Sequence, residues 1–110
     1  PDYCINSYWT LGLVLETNNH SKDWFNFRKI FLDNGGDQFY AAWKLSYDEP
    51  LFKNNKEIKR NTWQSFEEGL CPNSEYLQKR MIQLKTNYWD LSKAKYQSEI
   101  FYKALKEFGG

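Results

Sequence analysis

Between Ser74 and Leu91 the apolar residues fall on a helical period. Leu77, Met81, Leu84, Tyr88 and Leu91 stand at i, i+4, i+7, i+11 and i+14, a spacing that lines side chains along one stripe of an α-helix. Opposite them stand Lys79, Gln83, Thr86 and Lys93, side-chain types that reach phosphates and base edges. An apolar stripe backed by a basic, amide-bearing face predicts one long C-terminal helix. Capped by Asn73 or Ser74 and running as far as Phe108, it would span roughly 50 Å at about 1.5 Å per residue.

The remaining patterns extend the same reading. Ser21 suits an N-cap, with Asp23 in the first turn of a helix whose Trp24, Phe27, Ile30 and Phe31 share one face, ended by Gly35-Gly36. A second helix is expected from Asp37 to about Ser46, with Phe39, Trp43 and Tyr40 inward, stopped by Asp48-Glu49-Pro50. A third runs from about Asn55 to Gly69 with Ile58, Trp63, Phe66 and Leu70 as its buried row. Tyr8–Glu16 is apolar and reads as helix, although Gly12 and Val14 suit a strand equally well. The expected fold is therefore all-α: a small bundle of four to five helices in one domain over residues 1–110. Its expected core is Trp24, Phe27, Phe31, Trp43, Trp63, Phe66, Leu77, Met81, Leu84 and Tyr88.

At 110 residues the chain is long enough for a single core without a metal. Five Trp, eight Tyr and eight Phe in a chain of strongly negative mean hydropathy imply that some rings face solvent, where they favour binding. The net charge of +1 announces no nucleic-acid binder by itself. Its distribution is uneven: residues 1–52 carry four basic and seven acidic side chains, and residues 53–110 carry eleven and seven. Cys4 and Cys71 have no metal-ligand spacing, so they are either reduced thiols or one disulfide closing a long loop. No apolar run is long enough for a membrane span, and no signal peptide is recognisable.

Catalytic patterns are missing. The single histidine, His20, lies in the polar turn Asn18–Ser21, and Glu67-Glu68 are neighbours that point apart on a helix. No phosphate-cradling glycine loop or nucleophile elbow occurs. The expectation is a non-enzyme with no cofactor, no metal and no small-molecule substrate.

Trp24, Trp43 and Trp63 stand 19 and 20 residues apart, an interval that resembles Myb-type repeats. The stretch Trp63-Gln64-Ser65-Phe66, followed by Arg80, Leu84 and Tyr88 at four-residue steps, resembles helices two and three of the SANT-like, MADF and trihelix branch. The resemblance covers about residues 55–95, as a helix-turn-helix portion. It implies a nuclear DNA-binding module of transcription or chromatin, with helix three in the major groove of duplex DNA. Lys79, Gln83 and Thr86 would then face bases, and Lys59, Arg60, Lys85 and Lys93 would approach phosphates.

A competing row, Ile82, Trp89 and Tyr96, recurs every seven residues on another side of the same predicted helix. Either the N-terminal segment, through Trp9, Leu11 and Leu13, covers it or a protein partner does. The alternative function is thus a helical protein-interaction domain with an aromatic docking surface, intracellular or, if the cysteines pair, secreted.

Overall fold

The computed structural model describes residues 3–5, 9–16, 22–41, 44–54 and 67–109. Strand β1, Thr10–Val14, leads to helix α1, Trp24–Asp33, and then to the short strand β2, Tyr40–Ala41. A 3-10 helix at Ser46–Asp48 precedes helix α2, Pro50–Asn54. Helix α3, Pro72–Gln78, strand β3, Met81–Lys85, and helix α4, Leu91–Gly109, complete the order. The three strands form one antiparallel sheet with β3 in the centre, flanked by β1 and β2. The fold is mixed α and β, which overturns the all-α expectation.

The long predicted helix is three elements instead. Its stripe is real as a spacing, but Met81-Ile82-Gln83-Leu84-Lys85 also alternates with period two, and that pattern places Ile82 and Leu84 on the inner face of a strand. Pairing decides between the periods: Leu11 stands opposite Leu84, and Leu13 opposite Ile82. The Leu13–Ile82 pair carries most of the burial, with Ile82 fully buried and Leu13 and Leu84 packed against the core. The expected helix over Asp37–Ser46 is also replaced, by an extended approach to β2 and the 3-10 turn. Within the apolar segment 8–16 the described residues form strand β1, Thr10–Val14, the option that Gly12 and Val14 left open. The expected helix over Asn55–Gly69 lies mostly outside the described residues, as do Trp43, Trp63 and Phe66.

α1 forms where its face predicted it. Its cap is Asp23 rather than Ser21: the Asp23 carboxylate accepts the N–H groups of Phe25 at 3.0 Å and Asn26 at 3.1 Å. Asn26 returns the bond to the Asp23 N–H, closing a capping box. At the other end Gly35 takes a φ of 89°, the left-handed conformation that turns the chain out of the helix. Gly36 then passes so close to Phe31 that a Cβ there would lie 2.6 Å from the ring.

α1 and α4 pack together against the inner face of the sheet. The core is Leu15, Phe27, Phe31, Phe39, Ile82, Ala104 and Phe108, with Phe27 at its centre. Its ring lies 5.5 Å from Phe101, 5.6 Å from Phe108 and 6.0 Å from both Phe31 and Phe39. Trp24 and Leu84 pack at the margin, and Leu77 is exposed on α3. Arg80 is buried at the turn into β3, donating to the Tyr76 carbonyl and stacking over the Tyr76 ring.

Candidate functional site

The antiparallel register brings three strand ends to one edge of the molecule. β1 begins, β2 begins and β3 ends there, with Thr10 opposite Lys85 and Tyr40 opposite Gln83. Side chains that alternate away from the helices make up the outer face: Thr10, Gly12, Val14, Tyr40, Met81, Gln83 and Lys85. Gly12 faces open space there.

At the strand-end edge a groove of about 380 Å³ is lined by Trp9, Thr10, Gln38, Phe39, Tyr40, Lys85 and Asn87. Trp9 is 82% exposed and Tyr40 64%, an arrangement that leaves two large rings in water on either side of one concavity. The Trp9 backbone is fixed to the end of β3, because its carbonyl accepts the Thr86 hydroxyl at 3.0 Å. Amides from Gln38 and Asn87 and the ammonium of Lys85 supply the polar lining.

Lys85 also lines an adjoining cavity of about 360 Å³, with Asp37, Tyr88, Lys93, Tyr96 and Gln97. α4 holds this region in place through Gln97. Its Oε1 accepts the Asp37 N–H at 2.7 Å and its Nε2 donates to the Gly35 carbonyl at 3.3 Å. The Asp37 carboxylate lies 2.7 Å from the Lys85 Nζ and accepts the Tyr88 hydroxyl at 3.0 Å. The bond from Lys85 holds the Asp37 carboxyl below its usual range, with Tyr88 adding to the effect and partial desolvation opposing it. Desolvation, and then the bond to Asp37, push the Tyr88 phenol up to about 12.

A pH response follows from that shift. The folded Asp37 pKa lies below its unfolded value of 3.8, so its stabilising contribution is present above that value and is lost as pH falls through the folded pKa. The contribution is small because both partners of the pair are about two-fifths exposed. Side-chain shifts of Tyr88 should therefore stay constant from neutrality down to about pH 4.5 and change only below it. A Tyr88 transition centred above pH 5 would show that Asp37 does not hold this bond.

The residues singled out in the sequence fall in different places. Gln83 lies mid-strand on the outer face, Lys85 ends β3, Thr86 follows it and Lys93 stands in the first turn of α4. Lys85 and Lys93 share one cavity. Lys79 lies at the far end of β3, beside Tyr47, Asp48, Lys53 and Glu75. There Glu75 accepts the Tyr47 hydroxyl and the Gly69 and Cys71 N–H groups, an arrangement that ties the α3 start to the preceding turn. Lys59 and Arg60 lie outside the described residues. Of the row proposed to meet a partner, Ile82 is fully buried in the core, whereas Trp89 is fully exposed and Tyr96 half-exposed.

The phrase Arg80, Leu84, Tyr88 that carried the likeness to helix three runs through a turn, a strand and a loop. No helix therefore presents Lys79, Gln83 and Thr86 together. Sequence reading missed Gln38, Asn87 and Asp37, and took Trp9 only as cover and Tyr88 as core; Tyr40, expected inward on a helix, is instead 64% exposed on β2.

Cys4 and Cys71 are free, exposed thiols. Among the described residues no group of three or more His, Cys, Asp or Glu is placed to hold a metal ion, and no helix is long and apolar enough to cross a membrane. No protein-family model, curated protein or solved structure matches this chain.

Proposed function

We propose that this chain is a binding module for single-stranded nucleic acid, taken across the outer face and strand-end edge of its sheet. The observation that carries the reading is the groove between Trp9 and Tyr40, two exposed rings with amides and a lysine between them. Sheet-borne aromatics stack unpaired bases, each worth about 1–3 kcal/mol, whatever the base. Gln38 and Asn87 offer the donor and acceptor pairs that base edges require, and Lys85 a cation for the backbone.

A duplex fits this surface poorly. Gln83 sits in the central strand of three, and a three-stranded face is wider than the two-stranded ribbon that enters a major groove. Stacking on Trp9 also requires a base already out of its helix.

The test is a fluorescence titration with a hexathymidylate and with a duplex of mixed sequence, at low and moderate salt. The single strand should bind more tightly than the duplex. With Lys85 and Lys93 near the backbone, log affinity should fall with log salt at a slope of about −1.4. Absence of single-strand binding at low salt, or tighter binding of the duplex, would end the reading.

One observation favours a second reading, a protein-docking surface. Trp89 is fully exposed beside exposed Leu91 at the start of α4, and Trp dominates protein interfaces. That surface would bind with little dependence on salt, the opposite response.

A further inference from the structure

We infer that the cavity between Asp37 and the first turns of α4 is a phosphate subsite of this same surface, occupied in the free protein by the carboxylate of Asp37. The inference rests on the single-strand reading and adds to it where the backbone goes.

The cavity concentrates donors. Two ammonium groups, Lys85 and Lys93, and two phenols, Tyr88 and Tyr96, line it around the single carboxylate of Asp37. Lys85 and Tyr88 already converge on one anionic group, at 2.7 Å and 3.0 Å. That is a coordination suited to a phosphate oxygen, filled by a tethered carboxylate. Lys93 is in neither close ion pair among the described residues and acts on Asp37 only through space, so the cavity keeps a second cation not in contact with the carboxylate.

Location links the cavity to the strand. Lys85 lines both this cavity and the Trp9–Tyr40 groove, so a phosphate held here lies beside the stacking groove. A phosphate oxygen arriving at Lys85 competes with Asp37 directly. Asp37 cannot leave with its backbone, whose N–H is held by Gln97 at 2.7 Å, so the exchange is a rotation of its side chain. A terminal phosphate carries about −1.5 to −2 charge, more than the carboxylate it displaces.

Two sources of phosphate are possible for such a strand, a 5′-terminal monoester and an internal diester. Full-length protein is titrated with hexathymidylate bearing either a 5′-hydroxyl or a 5′-phosphate, using wild type, Lys93→Met and Asp37→Asn. If the monoester is the ligand, the 5′-phosphate tightens binding about three- to fivefold and Lys93→Met removes that gain, weakening the 5′-phosphate oligonucleotide more than the 5′-hydroxyl one. If an internal diester is the ligand, the terminal group adds nothing and Lys93→Met weakens both oligonucleotides by the same factor. In either case Asp37→Asn strengthens binding, because the competitor is gone. Lys93→Met without effect on either oligonucleotide overturns the subsite while leaving the stacking groove intact, and so does weaker binding by a folded Asp37→Asn protein.

Lys93 is exposed, so its variant reports even if Asp37→Asn fails to fold. Should no oligonucleotide bind, the single-strand reading falls, and inorganic pyrophosphate then judges the subsite alone. Backbone amide shifts confined to Asp37, Tyr88 and Lys93 support it, and unchanged shifts at millimolar pyrophosphate end it.

Discussion

Phe27→Ala is expected to lower the midpoint of thermal unfolding by about 12–20 °C. The ring is fully buried and touches four other aromatic rings, from α1, the approach to β2 and α4. Its truncation removes the apolar transfer term and leaves a cavity that rigid neighbours fill poorly, a loss of about 3–5 kcal/mol. For a domain of this size each kcal/mol corresponds to about 4 °C. Domains of this kind hold only about 5–15 kcal/mol in total, so a marginal one would be partly unfolded at 37 °C. Phe25→Ala is the control on the same helix. Phe25 is 64% exposed, and its loss should cost less than about 1 kcal/mol. Comparable effects from the two substitutions would mean that α1 does not face the sheet as described.

The contrast between those two residues was readable from sequence, because α1 has every local signal in agreement. Trp24, Phe27, Ile30 and Phe31 share its face and Gly35 ends it; only the cap differs from the reading, Asp23 in place of Ser21. Propensity, period and turn chemistry point one way, and tertiary packing had nothing to reverse. β3 is the opposite case. Its five residues include one β-branched side chain, Ile82, and they satisfy both the helical stripe and the two-residue alternation. The deciding information lies about seventy residues away, in Leu11 and Leu13 of β1. A reading that weighs local period alone has no access to it. β2 is shorter still, two residues held by pairing with Gln83 and Ile82, and carries no periodic signal.

The candidate site was legible in its chemistry and not in its geometry. Lys85 and Lys93 stood out as cations within reach of a backbone, and they do line one cavity. On a continuous helix they would be eight residues apart along one rod. Here a strand end and a helix start bring them together across the turn at Thr86–Asp90. Asp37 was invisible as a partner because its contact with Lys85 depends on that turn and on Gln97. The buried Ile82 shows the converse error. A seven-residue recurrence with Trp89 and Tyr96 suggested a shared surface, but a strand, a loop and a helix point the three residues in unrelated directions.

Replacing Trp9 or Tyr40 by alanine should abolish most single-strand affinity while leaving the fold intact. Each ring, if it stacks one base, contributes about 1–3 kcal/mol, so each variant should weaken a hexathymidylate about 5- to 150-fold. Neither ring belongs to the buried core. Their loss should therefore move stability by no more than about 0.5 kcal/mol, and far-UV circular dichroism and the unfolding midpoint should match wild type. The double variant shows how the groove is used. Two rings that stack two separate bases give additive losses. Two rings that clasp one base give a double variant little worse than the weaker single one, a coupling of about 0.5–3 kcal/mol. Thr10, Gln38 and Asn87 line the same groove; Trp9 directly precedes β1 and Tyr40 begins β2, with β3 between those two strands. At about 4.8 Å per strand spacing, the two backbones are separated by roughly twice that. Rings carried on separate strands meet a strand of bases at separate points, and the additive outcome is expected. Variants that stay folded and bind the oligonucleotide as tightly as wild type would remove the groove, and the single-strand reading with it.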